Sequence, residues 1–208
     1  MQYGPLPPTI CSTDYDQGYN IANNTEKSCW DFMEESSTRA KQFGDAMSLF
    51  SFSPAYSPGP LINYMNDETI TKGILVDVGG SHGAFSLPIV NRFPDIRCIV
   101  QDRPEVIANV YKHVSPDDLA KLDGRIEFMS HDFFTSQPIH GAEVYLLRWI
   151  LHDWSDEYAI RILRALVPAL KNGSRVLIHE YIVPEPGEAT YLRQQNMRYV
   201  HYSHTSLI

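Results

Sequence analysis

The sequence predicts an α/β fold in which helices cover a parallel β-sheet. Two observations lead to this prediction. From residue 73 onward, short apolar runs alternate with amphipathic segments, and the runs lack the polar alternation of a strand with one face in water. The first run also ends in a glycine-rich turn, GGSHG, which is typical of a strand that leads directly into a helix.

Five strands and three intervening helices follow from this pattern. The strands are predicted over residues 73–80, 96–102, 124–132, 142–150 and 174–183. The helices are predicted over 84–92, from Pro104 onward, and over 155–170. A Ser-Asp-Glu segment opens the last of these helices, and an Asn-Gly pair stops it.

The chain ahead of the first strand has a different character and is predicted to form a separate segment, residues 1–70. Residues 1–12 are rich in proline and are expected to be extended. Aromatic residues and methionines then recur at helical spacing over 28–52, and a short helix is predicted over 61–65. The remainder, residues 71–208, is predicted to be the ligand-binding core.

The composition is that of an ordinary globular protein, since 43% of the 208 residues are hydrophobic and 20% are charged. The formal net charge of −8 and the lack of a Lys/Arg-rich run argue against nucleic acid as a partner. No apolar stretch is long enough to cross a bilayer, so no membrane partner is expected. The three cysteines are scattered and no secretory signal is recognisable, which predicts a cytoplasmic protein.

The glycine-rich turn carries the first candidate site. Asp77 is followed by Gly79, Gly80 and Gly83, and backbone N–H groups at such a turn can bind an anionic ligand. Asp102 ends the second strand, where nucleotide-binding sheets place a carboxylate on ribose hydroxyls. The glycine spacing differs from the G-x-G-x-x-G of dinucleotide sites. An acid ahead of the glycines, Asp77, suits a ligand that carries an ammonium, and Asp102 suits a ribose. S-adenosylmethionine (SAM) has both groups and is the predicted cofactor.

Four motifs extend this prediction to a family: VDVGGSHG, FPDIRCIVQDRPEVI, FMSHDFF and LLRWILHDWSDEYAIRIL. Together they resemble the SAM-dependent O-methyltransferases of the plant caffeate and flavonoid type, especially their relatives in fungal secondary metabolism. The resemblance covers roughly residues 20–185. It implies a Rossmann-like class I methyltransferase sheet flanked by helices.

The resemblance also implies a role for individual residues. Those expected to bind SAM are Asp77, Gly79, Gly80, Gly83, Asp102, Asp132, Phe133 and Arg148, the last in place of the family's usual lysine. The expected general base is His152, with Glu180 as the acid that orients it. The residues expected to contact the acceptor are Met47, Phe50, Trp149 and Asp153. Alternatives stay open: Met47, Phe50 and Trp149 as plain core, and Asp153 as the cap of the following helix. No metal is expected.

Compared with the family, the chain is expected to lack the C-terminal β-hairpin and most of the N-terminal dimerisation domain. The fifth strand would then be an open edge, which another chain could cover in a homodimer or a heteromeric complex.

Three functions remain in competition. The first is an O-methyltransferase acting on a phenolic or enolic hydroxyl of a small secondary metabolite. The second is a SAM-binding relative that catalyses an elimination or a pericyclic step without transferring methyl. The third is a subunit that completes its fold with a partner chain. A nicotinamide-dependent dehydrogenase is disfavoured by the glycine spacing.

Overall fold

The computed structural model describes residues 57–112, 114–120 and 123–180, together with a few isolated positions outside these ranges. The strands are β1 Lys72–Val78, β2 Asp95–Asp102, β3 Ile126–Ser130, β4 Val144–Arg148 and β5 Arg175–His179. The helices are α1 Gly59–Asp67, α2 Ser86–Arg92, α3 Pro104–Ala108, α4 Pro116–Ala120 and α5 Asp156–Leu166. Within the described ranges, 3₁₀ turns lie at Val110–Lys112, Leu151–Asp153 and Val167–Ala169.

The chain divides into two compact units. Ser48–Glu180 form one, which contains all the strands and helices given above. Met1–Met47 and Tyr181–Ile208 form the other, of which only isolated positions are described. The helix predicted over 28–52, with Met47 and Phe50, therefore lies outside the described residues except at single positions.

The five strands in the described part of the chain are all parallel, in the order β3-β2-β1-β4-β5. The predicted fold class is thus confirmed. The direction in which successive strands are added reverses between β1 and β4, because β2 and β3 lie on one side of β1 and β4 and β5 on the other. In open α/β sheets, ligands bind outside the carboxyl ends of the strands at this reversal.

Apolar side chains cover both faces of the sheet, which explains why the strands show no polar alternation. Neighbouring residues of a strand point to opposite faces. Leu75 and Leu146 accordingly belong to one buried cluster, whereas Val76 and Leu147 belong to the other. Helix α1 contributes Leu61 and Met65 to the first cluster, although the sequence placed this helix in the N-terminal segment.

Several elements are shorter than predicted, for local reasons. Strand β1 ends before Gly79, whose φ of 75° lies in the left-handed region, and β4 ends before Trp149, whose φ is 57°. Helix α5 gives way to a 3₁₀ turn at Val167, because Pro168 has no N–H to continue the helical ladder. Among the described residues, β5 pairs with β4 and forms one edge of the sheet, and its Ile178 is 50% exposed.

Candidate active site

Backbone N–H groups of the glycine-rich turn are hydrogen-bonded to the last two residues of β2. The N–H groups of Gly79 and Gly80 both donate to the carbonyl oxygen of Gln101, at 2.8 and 3.0 Å. The N–H group of Ser81 donates to Asp102 Oδ2 at 2.7 Å. These three N–H groups are therefore used inside the protein, and the predicted contact of Gly79 and Gly80 with a ligand stays a prediction.

Glycine is required at the first two positions of the turn for steric reasons. A Cβ atom on Gly79 would lie 2.4 Å from Ile150 Cδ1, in addition to the strain of its positive φ. A Cβ atom on Gly80 would lie 2.4 Å from Asp77 Oδ2. The turn therefore packs directly on the end of β1 and on the segment that follows β4.

Asp77 lies beneath this turn and is 1% exposed. The Ser86 hydroxyl donates to Asp77 Oδ2 at 2.6 Å. Burial raises the pKa of Asp77 to about 6, against the opposing effects of the Ser86 hydrogen bond and the positive charge of Arg148. A buried carboxyl with a perturbed pKa at a ligand-binding edge marks a functional candidate. Its predicted contact with a ligand ammonium stays a prediction.

Asp102 ends β2 beside the turn, as predicted. Its Oδ2 accepts from Ser81 and its Oδ1 accepts from the N–H group of Arg103 at 2.8 Å. Burial raises the pKa of Asp102, and these two hydrogen bonds oppose that rise. Each carboxylate oxygen can accept more than one hydrogen bond, so both remain able to accept from ribose hydroxyls.

The structure brings His152 and Glu180 together at the carboxyl ends of β4 and β5. His152 Nδ1 lies 2.7 Å from Glu180 Oε2. The other oxygen, Oε1, accepts from the N–H groups of Ile150 and Leu151 at 2.8 and 2.9 Å. A single carboxylate thus holds both the imidazole ring and the turn that carries it.

Asp153 contacts the opposite side of the same ring, with its Oδ1 atom 3.3 Å from His152 Nε2. Desolvation lowers the pKa of His152, but hydrogen bonds and charge from Asp153 and Glu180 outweigh it and raise the pKa to about 9. The alternative interpretation of Asp153 as a helix cap is wrong, because α5 begins only at Asp156 and Ser155 occupies its N-cap position. Asp153 lies instead in the 3₁₀ turn with His152.

Arg148 and Trp149 form a stacked pair at the carboxyl end of β4. The Arg148 guanidinium lies 3.7 Å from the centre of the Trp149 ring and 4.3 Å from that of Phe85. Trp149 adopts a left-handed backbone, which is rare for a bulky side chain and costs about 1–3 kcal/mol. Such strained residues cluster at functional sites. The predicted contact of Trp149 with the acceptor stays a prediction.

An aromatic cluster borders the glycine-rich turn. Phe133 and Phe134 both pack edge-to-face on Trp154, with ring centres 5.8 and 4.7 Å apart. A Cβ atom on Gly79 would lie 3.8 Å from Phe133, so this ring lies close to the turn. Asp132 is exposed beside it and accepts the N–H group of Phe134 at 2.9 Å.

Sequence reasoning missed three contributors to this edge. Ser86 and Phe85 begin α2 and contact Asp77 and Arg148, but small and aromatic residues at a helix start give no distinctive signal. Phe134, the last residue of the FMSHDFF motif, is a further contributor that the sequence reasoning did not identify. Among the described residues no group of histidine, cysteine and acidic side chains could hold a metal ion. None of the described helices is long and apolar enough to traverse a membrane.

Residues 16–204 match the model of the O-methyltransferase domain family. The chain belongs to this family. It is 40% identical over 185 residues to the grayanic acid biosynthesis cluster O-methyltransferase of Cladonia grayi, covering 88% of this chain and 40% of that protein. It is 39% identical over 185 residues to the chlorophenol O-methyltransferase of Trichoderma longibrachiatum, covering 87% and 39%.

Solved structures of family-like proteins have the same fold. The structure of LepI in complex with SAM superposes with a TM-score of 0.65 at 28% identity, covering 92% of this chain and 48% of that one. The fold is therefore that of the class I methyltransferases. The chain spans about two fifths of the length of the curated relatives it matches.

Proposed function

We propose that this protein is a SAM-dependent O-methyltransferase that methylates a phenolic or enolic hydroxyl of a small secondary metabolite, with His152 as the general base. The observation that carries the proposal is the pairing of His152 with Glu180, at 2.7 Å, at the carboxyl edge of the sheet. This pair follows β4 and β5, at the same carboxyl edge of the sheet as the glycine-rich turn, and β4 borders the position between β1 and β4 where the strand order reverses. Family membership and the names of the relatives support the same activity.

The residues around the glycine-rich turn fit SAM better than a dinucleotide. A pyrophosphate needs free N–H donors at the turn, whereas those of Gly79, Gly80 and Ser81 are bonded within the protein. Asp102 can still accept hydrogen bonds from ribose hydroxyls. Asp132 and Phe133 lie beside the turn, where they would contact the adenine. Asp77 and Arg148 would serve the methionine part. When bound, SAM supplies a methyl group made electrophilic by its sulfonium.

The residues of the protein then have to orient the acceptor and remove its proton. Glu180 occupies Nδ1 of His152, which leaves Nε2 as the nitrogen that takes the proton from the acceptor hydroxyl. A positioned base of this kind contributes about 10²–10⁴-fold to the rate. Because the pKa of His152 is raised to about 9, the ring is mostly protonated at pH 7, and activity is expected to rise toward alkaline pH.

The acceptor class and the assembly are also part of the proposal. The relative named a chlorophenol O-methyltransferase supports a phenolic acceptor. We propose Trp149 and Asp153 as acceptor contacts, together with Met47 and Phe50 from the segment outside the described residues. Ile178 is half-exposed on β5, the edge strand among the described residues, and supports a homodimer or a heteromeric partner, which sedimentation of the purified protein would test.

The deciding experiment is calorimetric titration with SAM and S-adenosylhomocysteine, followed by a product assay on a panel of phenols. Asp102→Ala is expected to abolish binding, whereas Asp95→Ala, at the exposed opposite end of the same strand, should leave it unchanged. His152→Gln should retain SAM binding and lose methyl transfer. A folded protein that does not bind SAM would refute the proposal. Conversion of an acceptor without S-adenosylhomocysteine formation would instead identify a non-methylating relative.

A further inference from the structure

The contact between Asp153 and His152 lies on the nitrogen that a general base would offer to its substrate. With Nδ1 occupied by Glu180, Nε2 is the remaining ring nitrogen, and Asp153 Oδ1 lies 3.3 Å from it. The two side chains are 16% and 15% exposed, so water screens this pair only partly. In this arrangement the ring bridges two carboxylates.

We propose that Asp153 is a positioning residue whose carboxylate occupies Nε2 of His152 in the resting site. This contact is given up only when an acceptor hydroxyl replaces the carboxylate at Nε2. This inference rests on the proposed function, since it assigns a state to the base of that reaction. An imidazole held between two carboxylates is stabilised in its protonated form. The resting ring is therefore a poor base until Asp153 moves and the proton on Nε2 leaves to solvent.

Two charged groups raise the pKa of His152, and both are carboxylates. Asp153 belongs to its own turn, and Glu180 follows β5. Arg148 ends β4, where its positive charge acts on the pKa of Asp77 and, after desolvation, lowers that of His179. Of these groups, Asp153 can be neutralised without changing the hydrogen bonds that Glu180 Oε1 accepts from the N–H groups of Ile150 and Leu151.

Neutralising Asp153 should therefore lower the pH at which His152 becomes a base. Removal of one close negative charge shifts a titration by about one pH unit or more. In Asp153→Asn, the acidic limb of kcat/KM is expected to move down by that amount, and kcat/KM at pH 7 to rise about tenfold. Above pH 10 the variant and the wild type should converge, because both rings are then neutral.

Two readouts on the full chain test this expectation. Histidines carrying ¹³C at Cε1 are titrated by NMR, with the His152 signal assigned by its absence in His152→Gln. The pH dependence of kcat/KM is measured with SAM and the best phenol of the panel. Asp156→Asn provides the matched control, because it removes the same charge three residues away, at the exposed start of α5. Asp153→Ala, which removes the hydrogen bond as well, must shift both readouts in the same direction as Asp153→Asn.

Three results are informative. An unchanged titration of His152 in both Asp153 variants would overturn the proposal. Loss of activity at every pH, including alkaline pH, would also overturn it and would make Asp153 itself the group that acts on the acceptor. If the wild-type protein methylates no acceptor, the proposed function fails, but a lowered His152 titration in the variants still establishes the pairing.

Discussion

Asp77→Asn is expected to stabilise the protein at neutral pH. The substitution keeps the shape of the side chain and leaves an amide oxygen to accept the Ser86 hydrogen bond, now 2.6 Å long. What it removes is a negative charge buried beneath the glycine-rich turn, where Asp77 is 1% exposed. Burial of an ionised carboxylate is unfavourable unless its partners compensate fully.

The size of the effect follows from proton linkage. The pKa of Asp77 is about 6 in the folded protein, above its unperturbed value of 3.8, because burial disfavours the ionised form. The folded state therefore holds its proton more tightly, and this contribution to stability is complete below pH 3.8 and lost as the pH rises through 6. The difference between the two values corresponds to about 3 kcal/mol of lost stability at pH 7. An asparagine does not incur this loss.

Urea unfolding at pH 4 and pH 7 measures the prediction. Asp77→Asn should raise the free energy of unfolding by up to about 3 kcal/mol at pH 7 and by much less at pH 4. Asp95→Asn, exposed at the start of β2, controls for the reduced net charge of the chain. A variant no more stable than wild type at pH 7, or stabilised equally at pH 4, would refute the reasoning. Weaker SAM binding by the stabilised variant would show that the buried charge serves function.

Two further substitutions test the construction of the site. Gly79→Ala should lower the free energy of unfolding by about 1–3 kcal/mol more than Gly124→Ala, because both positions have positive φ but only the first places a Cβ against Ile150, at 2.4 Å. Equal losses in urea unfolding would contradict the steric argument. Glu180→Gln should cost about 1–3 kcal/mol at pH 7, because it weakens the charge-assisted bonds that hold the turn of His152. An unchanged urea midpoint would show that the carboxylate does not hold this turn.

Local pattern was sufficient to predict the fold class. Each strand carries its own apolar run, and burial on both faces requires that run whatever lies beside it. The glycines of the first turn were equally predictable, since Gly79 needs a left-handed backbone and Gly80 meets the adjacent Asp77. The position of Trp149 was not, because a tryptophan with positive φ contradicts its own local preference.

The sequence by itself determined the strands, the glycine-rich turn, and the family motif that contains His152. Only the tertiary structure decided which groups pair at the sheet edge. The carbonyl oxygen of Gln101 accepts from the glycine-rich turn, the Ser86 hydroxyl donates to Asp77, and Asp153 contacts the ring of His152. Hydrophobic periodicity is a property of neighbouring residues and is readable along the chain. Side-chain pairing at the sheet edge depends instead on strand order, register and the exact end of each strand, which are settled only when distant segments pack together.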